Sequence, residues 1–147
     1  MRARGRLLGA VLMVAVVALL APPSLAFAQT GTRYVNPTDP TCGGQTPCYA
    51  TIQAAVDAAL PGERIVLQAG TYGEQVNVTG KNNTPAASEA DRIVIEADPA
   101  ALLGAVVVTP PTTQCTLGHA FRFQQSKFIT LRGLTITGAG GQAISLM

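Results

Sequence analysis

A chain of 147 residues with 10 basic and 8 acidic side chains carries a formal charge of +2. Three of the arginines lie in the first six residues, and without that leader the balance falls to seven basic against eight acidic, near −1. So small a charge excludes the clustered Lys/Arg face that nucleic-acid binding needs, while the roughly 119 residues beyond the leader suffice for one domain with a core.

Residues 1–28 have the layout of a cleaved secretory signal. MRARGR is basic, LLGAVLMVAVVALLA is apolar, and small residues at Ala26 and Ala28 place cleavage after Ala28. The apolar run stops at Pro22-Pro23 after about 15 residues, short of the ~20 that cross a bilayer. Arg2, Arg4 and Arg6 form no twin-arginine pair, and no cysteine follows to take a lipid. The expected location is therefore secreted, periplasmic or cell-surface, with no membrane span after cleavage.

Residues 29–48 are a turn-rich lead-in ending in CGGQTPC. In an oxidising compartment Cys42 and Cys48 are expected to form a local disulfide. A zinc pair would need further ligands at metal spacing, and His119 is the only histidine. Cys115 is left over, either free and buried or paired outside the chain.

Residues 49–147 begin with an amphipathic helix. Thr51 is a suitable N-cap. Ile52, Ala55, Val56, Ala59 and Leu60 make one apolar stripe, and Pro61-Gly62 ends it. Short β-runs follow, broken by Gly, Pro, Asn and Asp. Leading runs start at 65, 93 and 129, their followers at 76, 106 and 134, and a further series at 121 returns at 144. Irregular steps of one scale indicate stacked repeat units. Parallel sheets normally need helical crossovers, and none is predicted after residue 60. The expected fold class is therefore all-β, a parallel solenoid with a short N-terminal helix. An antiparallel sandwich would favour Asn-Gly or Asp-Gly hairpins, which do not occur. KNNTPAASEAD and TPPTTQCTLGH are expected as polar loops projecting from the coil.

YATIQAAVDAALPGERIVLQAGTYGEQVNVTGK resembles the start of right-handed parallel β-helix proteins of the pectin-lyase-like superfamily, pectate lyases among them, and FITLRGLTITGAGGQAISL resembles their later coils. The resemblance runs from about residue 33 to 147. It implies a right-handed β-helix whose mouth is capped by the helix. It leaves the activity open, because the superfamily holds lyases, hydrolases, esterases, epimerases and proteins without known activity. A sequence that stops in AISLM, within a strand run, is expected to be the N-terminal part of a longer protein, since a solenoid end needs a cap. The reaction's residues are then expected further on.

Several residues carry candidate chemistry. Lyases of this shape use clustered aspartates for calcium, which wants six to eight oxygens. The richest acidic stretch is Glu89, Asp91, Glu96 and Asp98, with Asp91 and Asp98 as candidate ligands against a plain turn role. Hydrolases would need aspartate pairs recurring in successive coils, and none recurs. Pectin methylesterases carry G-x-Y-x-E and an oxyanion-holding glutamine. Gly70 to Glu74 and Gln142 in QAISL match that wording, although the same wording suits ordinary coil geometry. Glu74 is expected to face solvent at the first corner. Tyr34, Tyr49 and Tyr72 could stack on sugar rings, and Asn77 and Asn82 head glycosylation sequons. The functional expectation is an exported protein that binds or processes an extended polysaccharide of the pectin or uronate type, with calcium as a possible cofactor. The alternative is a non-catalytic surface or adhesion solenoid. Oligomeric state is left open.

Overall fold

The computed structural model describes residues 31–111 and 118–147. The expected signal, 1–28, and Cys115 lie outside the described residues.

The elements in chain order are β1 (Thr32–Val35), β2 (Cys48–Tyr49), α1 (Ile52–Ala58), β3 (Arg64–Leu67), β4 (Gly70–Tyr72), β5 (Val76–Thr79), β6 (Ile93–Ala97), β7 (Val106–Val108), β8 (Phe121–Gln124), β9 (Ile129–Arg132), β10 (Thr135–Ile136) and β11 (Ile144–Leu146). Short 3-10 turns occupy Cys42–Gly44 and Glu89–Asp91. The strands make three sheets, β2-β1-β3-β6-β9, β10-β7-β4 and β11-β8-β5. Every pairing is parallel.

Alternation sets which side is buried most plainly on β5. On β5, Val76 and Val78 are buried while Asn77 and Thr79 are exposed. Ile65 and Leu67 on β3, Ile93 and Ile95 on β6, Val106 and Val108 on β7 and Phe121 on β8 join them in one core. Each such aliphatic or aromatic side chain contributes roughly 1.5–3 kcal/mol on burial.

The helix is part of that core. Ile52, Ala55 and Val56 are buried against it. Thr51 Oγ1 accepts from Ala54 N at 3.2 Å, the N-cap expected. At the other end Lys81 Nζ donates to the carbonyls of Asp57 and Ala59, both at 3.0 Å, where the helix presents unpaired acceptors. Burial pushes the Lys81 ammonium below its usual value, and the Asp57 carboxylate opposes this. The stripe ends earlier than its spacing predicts. Ala59 is already extended, so Leu60 leaves the helix face and is 60% exposed.

The all-β, right-handed solenoid is corrected by this architecture. What forms is three small parallel sheets with one helix built into their shared core. Equal coils would give equal sheets, yet one sheet has five strands and the others three. The chain intervals are also unequal: Val76 pairs with Phe121, which pairs in turn with Ile144. The apolar runs specify strands and their buried faces. They do not specify how many strands each sheet collects, because the loops between them differ in length.

Candidate functional site

On the five-stranded sheet, residues opposite the core-facing positions form the outer surface. Tyr34, Val66, Glu96 and Arg132 stand side by side there, in register across β1, β3, β6 and β9. Arg64 precedes Val66 by two positions on the same face of β3. Gln68 and Asp98 continue this face just beyond β3 and β6, where Asp98 N donates to Leu67 O at 2.8 Å.

Two depressions flank the Asp98-Pro99 turn. One, of about 370 Å³, is lined by Tyr34, Gln45, Arg64, Gln68 and Asp98. The other, of about 440 Å³, is lined by Glu96, Asp98, Leu102, Leu103 and Arg132. Both are open and both are lined by Asp98 and Pro99, and the pair is referred to together as the groove.

The disulfide loop walls this groove. Cys42 and Cys48 are bonded, with their Cα atoms 5.7 Å apart. The Cys42 carbonyl accepts from Gln68 Nε2 at 2.9 Å, and Gln68 Oε1 accepts from Asn36 Nδ2 at 2.7 Å. Asp39 secures the loop by accepting from the backbone of Thr41 and Gly43. The Thr41 hydroxyl and those two amides hold its carboxyl below the usual carboxylate range. Gln45 is thereby held at the groove's edge.

At the centre, Glu96 is clamped between two guanidinium groups. Its Oε1 accepts from Arg64 Nε at 2.7 Å and from Arg64 Nη2. Its Oε2 accepts from Arg132 Nε at 2.8 Å and from Arg132 Nη2. The Glu96 side chain is 2% exposed, against 28% for Arg64 and 65% for Arg132. Burial pushes the Glu96 carboxyl up, but the hydrogen bonds and charges of Arg132 and Arg64 outweigh it and leave a net downward shift.

The sequence candidates are dispersed. Asp91 Oδ2 accepts from Ser88 N and Oγ, closing a capping box on its 3-10 turn. Asp98 Oδ1 accepts from Ala100 N in a turn. The two flank β6, whose five residues span about 16 Å, too far apart to share an ion. Glu96 is taken by the arginines and Glu89 by Arg92. The acidic stretch therefore does not fit calcium, and among the described residues no group of three or more His, Cys, Asp or Glu could hold a metal.

The G-x-Y-x-E stretch serves the fold. Glu74 does not face solvent at the corner. Its carboxylate accepts from Ile52 N at 2.7 Å and Gln53 N at 2.9 Å, at the positive end of α1. Tyr72 is buried, and its hydroxyl lies 2.9 Å from Val35 O and 2.7 Å from Gln68 O. Burial, then the Glu74 charge, push its pKa well above the usual phenol value. Gln142 lies just before β11 on another sheet, with β8 between it and β5. Its backbone carbonyl accepts from His119 Nδ1 at 2.8 Å.

The other tyrosine and the sequons are likewise placed. The Tyr49 hydroxyl accepts from Arg33 Nη1 at 2.6 Å, with the guanidinium 5.9 Å from the ring centre. Of the three tyrosines, Tyr34 alone lines the groove. Asn82 is 9% exposed, with its amide donating to the carbonyls of Asp91 and Lys127, while Asn77 is exposed on β5.

Sequence reasoning missed Arg64 and Arg132. The signal was available, because each occupies an outward parity on one of the leading apolar runs. Among the described residues no helix is long and apolar enough to cross a membrane. Comparison of the chain with protein-family models, curated proteins and solved structures finds no match.

Proposed function

We propose that this chain is an exported protein that binds an extended polysaccharide across the outer face of its five-stranded sheet. One observation carries the reading: an open groove that combines an aromatic ring, Tyr34, with a side-chain amide at Gln45 and charged groups at Arg64 and Asp98. A sugar offers the matching surfaces, with apolar C–H faces for a ring and hydroxyls for amides and charged forks. A groove open at both depressions suits a polymer better than an enclosed small molecule. The resemblance of the Tyr49–Lys81 stretch to pectin-lyase-like proteins supports carbohydrate as the ligand class.

The groove's chemistry favours binding over bond cleavage. A general acid must hold a proton near neutral pH, whereas Glu96 is pushed down by two arginines. This observation argues against Glu96 as the general acid of a hydrolase on this face.

Affinity electrophoresis through gels containing xylan, β-glucan, mannan, pectin or alginate tests the reading. At least one polymer should retard the protein, and Tyr34→Ala should weaken that retardation about three- to tenfold, the scale of one aromatic contact. No retardation by any of them, or equal retardation of the variant, would overturn it.

A further inference from the structure

We infer that this groove prefers neutral over acidic polysaccharides, and that Glu96 is the specificity-determining residue. The inference rests on the polysaccharide reading above and names its ligand class. Among the described residues the charges that face the groove are Arg64, Arg132, Glu96 and Asp98, two of each sign. Its local charge is therefore balanced, although arginines are its most prominent groups.

The arrangement matters more than the sum. An arginine recognises a sugar carboxylate or sulfate through its planar fork, two parallel N–H donors on two oxygens. Here the Nε edge of each guanidinium is already committed. Arg64 presents Nε and Nη2 to Glu96 Oε1, and Arg132 presents Nε and Nη2 to Glu96 Oε2. Glu96 thus takes, inside the protein, one of the two edges of each guanidinium that an acidic sugar could use, and half-neutralises what is left.

Displacing it is costly. The Glu96 side chain is 2% exposed, and an uncompensated carboxylate at that depth would lose its solvation as well as its partners. Burial also protects the pair from salt screening that would loosen an exposed one. An acidic chain that left the clamp intact would meet Asp98, whose Oδ1 alone is engaged in the turn. A neutral chain meets neither obstacle. It can use Tyr34 and the amide of Gln45, and its hydroxyls can accept from guanidinium N–H groups outside the clamp.

The third arginine near this face does not alter the balance. Arg92 forms an ion pair with Glu89 and donates from Nη1 to Thr130 Oγ1 at 2.8 Å. Its charge is matched three residues away in its own turn.

The test compares xylan or β-glucan with polygalacturonate or alginate of similar length, at low and moderate salt. The wild-type chain should bind the neutral polymers about tenfold more tightly. Glu96→Gln leaves two unmatched arginine forks, and should move the acidic-to-neutral affinity ratio about tenfold toward acidic polymer, with a salt dependence that the parent lacks. Arg132→Gln, at a 65% exposed side chain, keeps Glu96 paired to Arg64 and should move the ratio the opposite way. If thermal unfolding shows that Glu96→Gln does not fold, Arg132→Gln decides. A wild-type preference for acidic polymer overturns the inference and leaves the polysaccharide reading standing. A ratio unmoved in every folded variant removes Glu96 from its role. Binding to no polymer overturns the polysaccharide reading, and the inference with it.

Discussion

Replacing Glu74 by alanine should unfold the first turn of α1 before it touches any ligand. The helix has seven residues, too few to persist without tertiary anchors. Its first free amides are met by Glu74, at 2.7 Å from Ile52 N and 2.9 Å from Gln53 N, and by Thr51 on Ala54 N. The alanine variant keeps the Thr51 cap and exposes the other two amides to water. Loss of a capping side chain costs about 1 kcal/mol, and loss of a carboxylate from the helix's positive end a further 0.3–1 kcal/mol or so. With two amides affected, about 2 kcal/mol is expected. For a domain of this size that lowers Tm by roughly 6–10 °C.

Glu74→Gln separates the two contributions. It retains an acceptor but loses the charge, so it should fall about midway between parent and alanine variant. Urea unfolding followed by circular dichroism, together with thermal melts, measures both. The reasoning fails if Glu74→Ala lies within about 0.5 kcal/mol of the parent. It fails equally if the variant keeps its stability but loses polymer binding, since that would return Glu74 to a functional site.

Two further outcomes follow from buried polar groups. Tyr72→Phe removes a hydroxyl that lies against the Val35 and Gln68 carbonyls at the corner between β3 and β4; about 1–2 kcal/mol should be lost in urea titrations, and an unchanged midpoint would show that water replaces it. Glu63 and Glu96 both have carboxyls shifted below their usual value, Glu63 by Arg33, the Leu60 amide and Lys81 against the opposing effect of burial. A depressed folded-state pKa gives stability that is complete above the unfolded value, near pH 4.3 for Glu, and is lost as pH falls through the folded one. The urea midpoint should therefore hold from pH 7 to about 5 and drop steeply below 4, less so in Glu96→Gln; equal acid sensitivity in parent and variant would remove Glu96 as a contributor.

The legible part of the fold was its local part. The cap at Thr51, the apolar face of α1 and the runs at 65, 76, 93, 106, 121, 129, 134 and 144 depend on near neighbours and on alternation along the chain. The Cys42–Cys48 bond was legible too, because two cysteines so close in an exported chain have few other partners. Leu60 was misplaced because the spacing continued one residue past the point where Ala59 turns extended.

Glu74 shows where local reasoning ends. Its wording in GTYGE reads as a corner, and the donors it satisfies lie 22 and 21 residues earlier in the chain. The Arg64–Glu96–Arg132 clamp is the same case at the candidate site, joining residues 32 and 36 positions apart. The sequence by itself determined the helix and most of the strands, though not β2 or β4, since these follow from alternation and short-range sterics. Only the tertiary structure decided that, among the described residues, five strands gather in one sheet and three in each of the others, that Glu74 belongs to the helix, and that a buried carboxylate occupies the Nε edge of both arginines. Those outcomes depend on strand register between distant segments, and register is a property of packing rather than of any one segment.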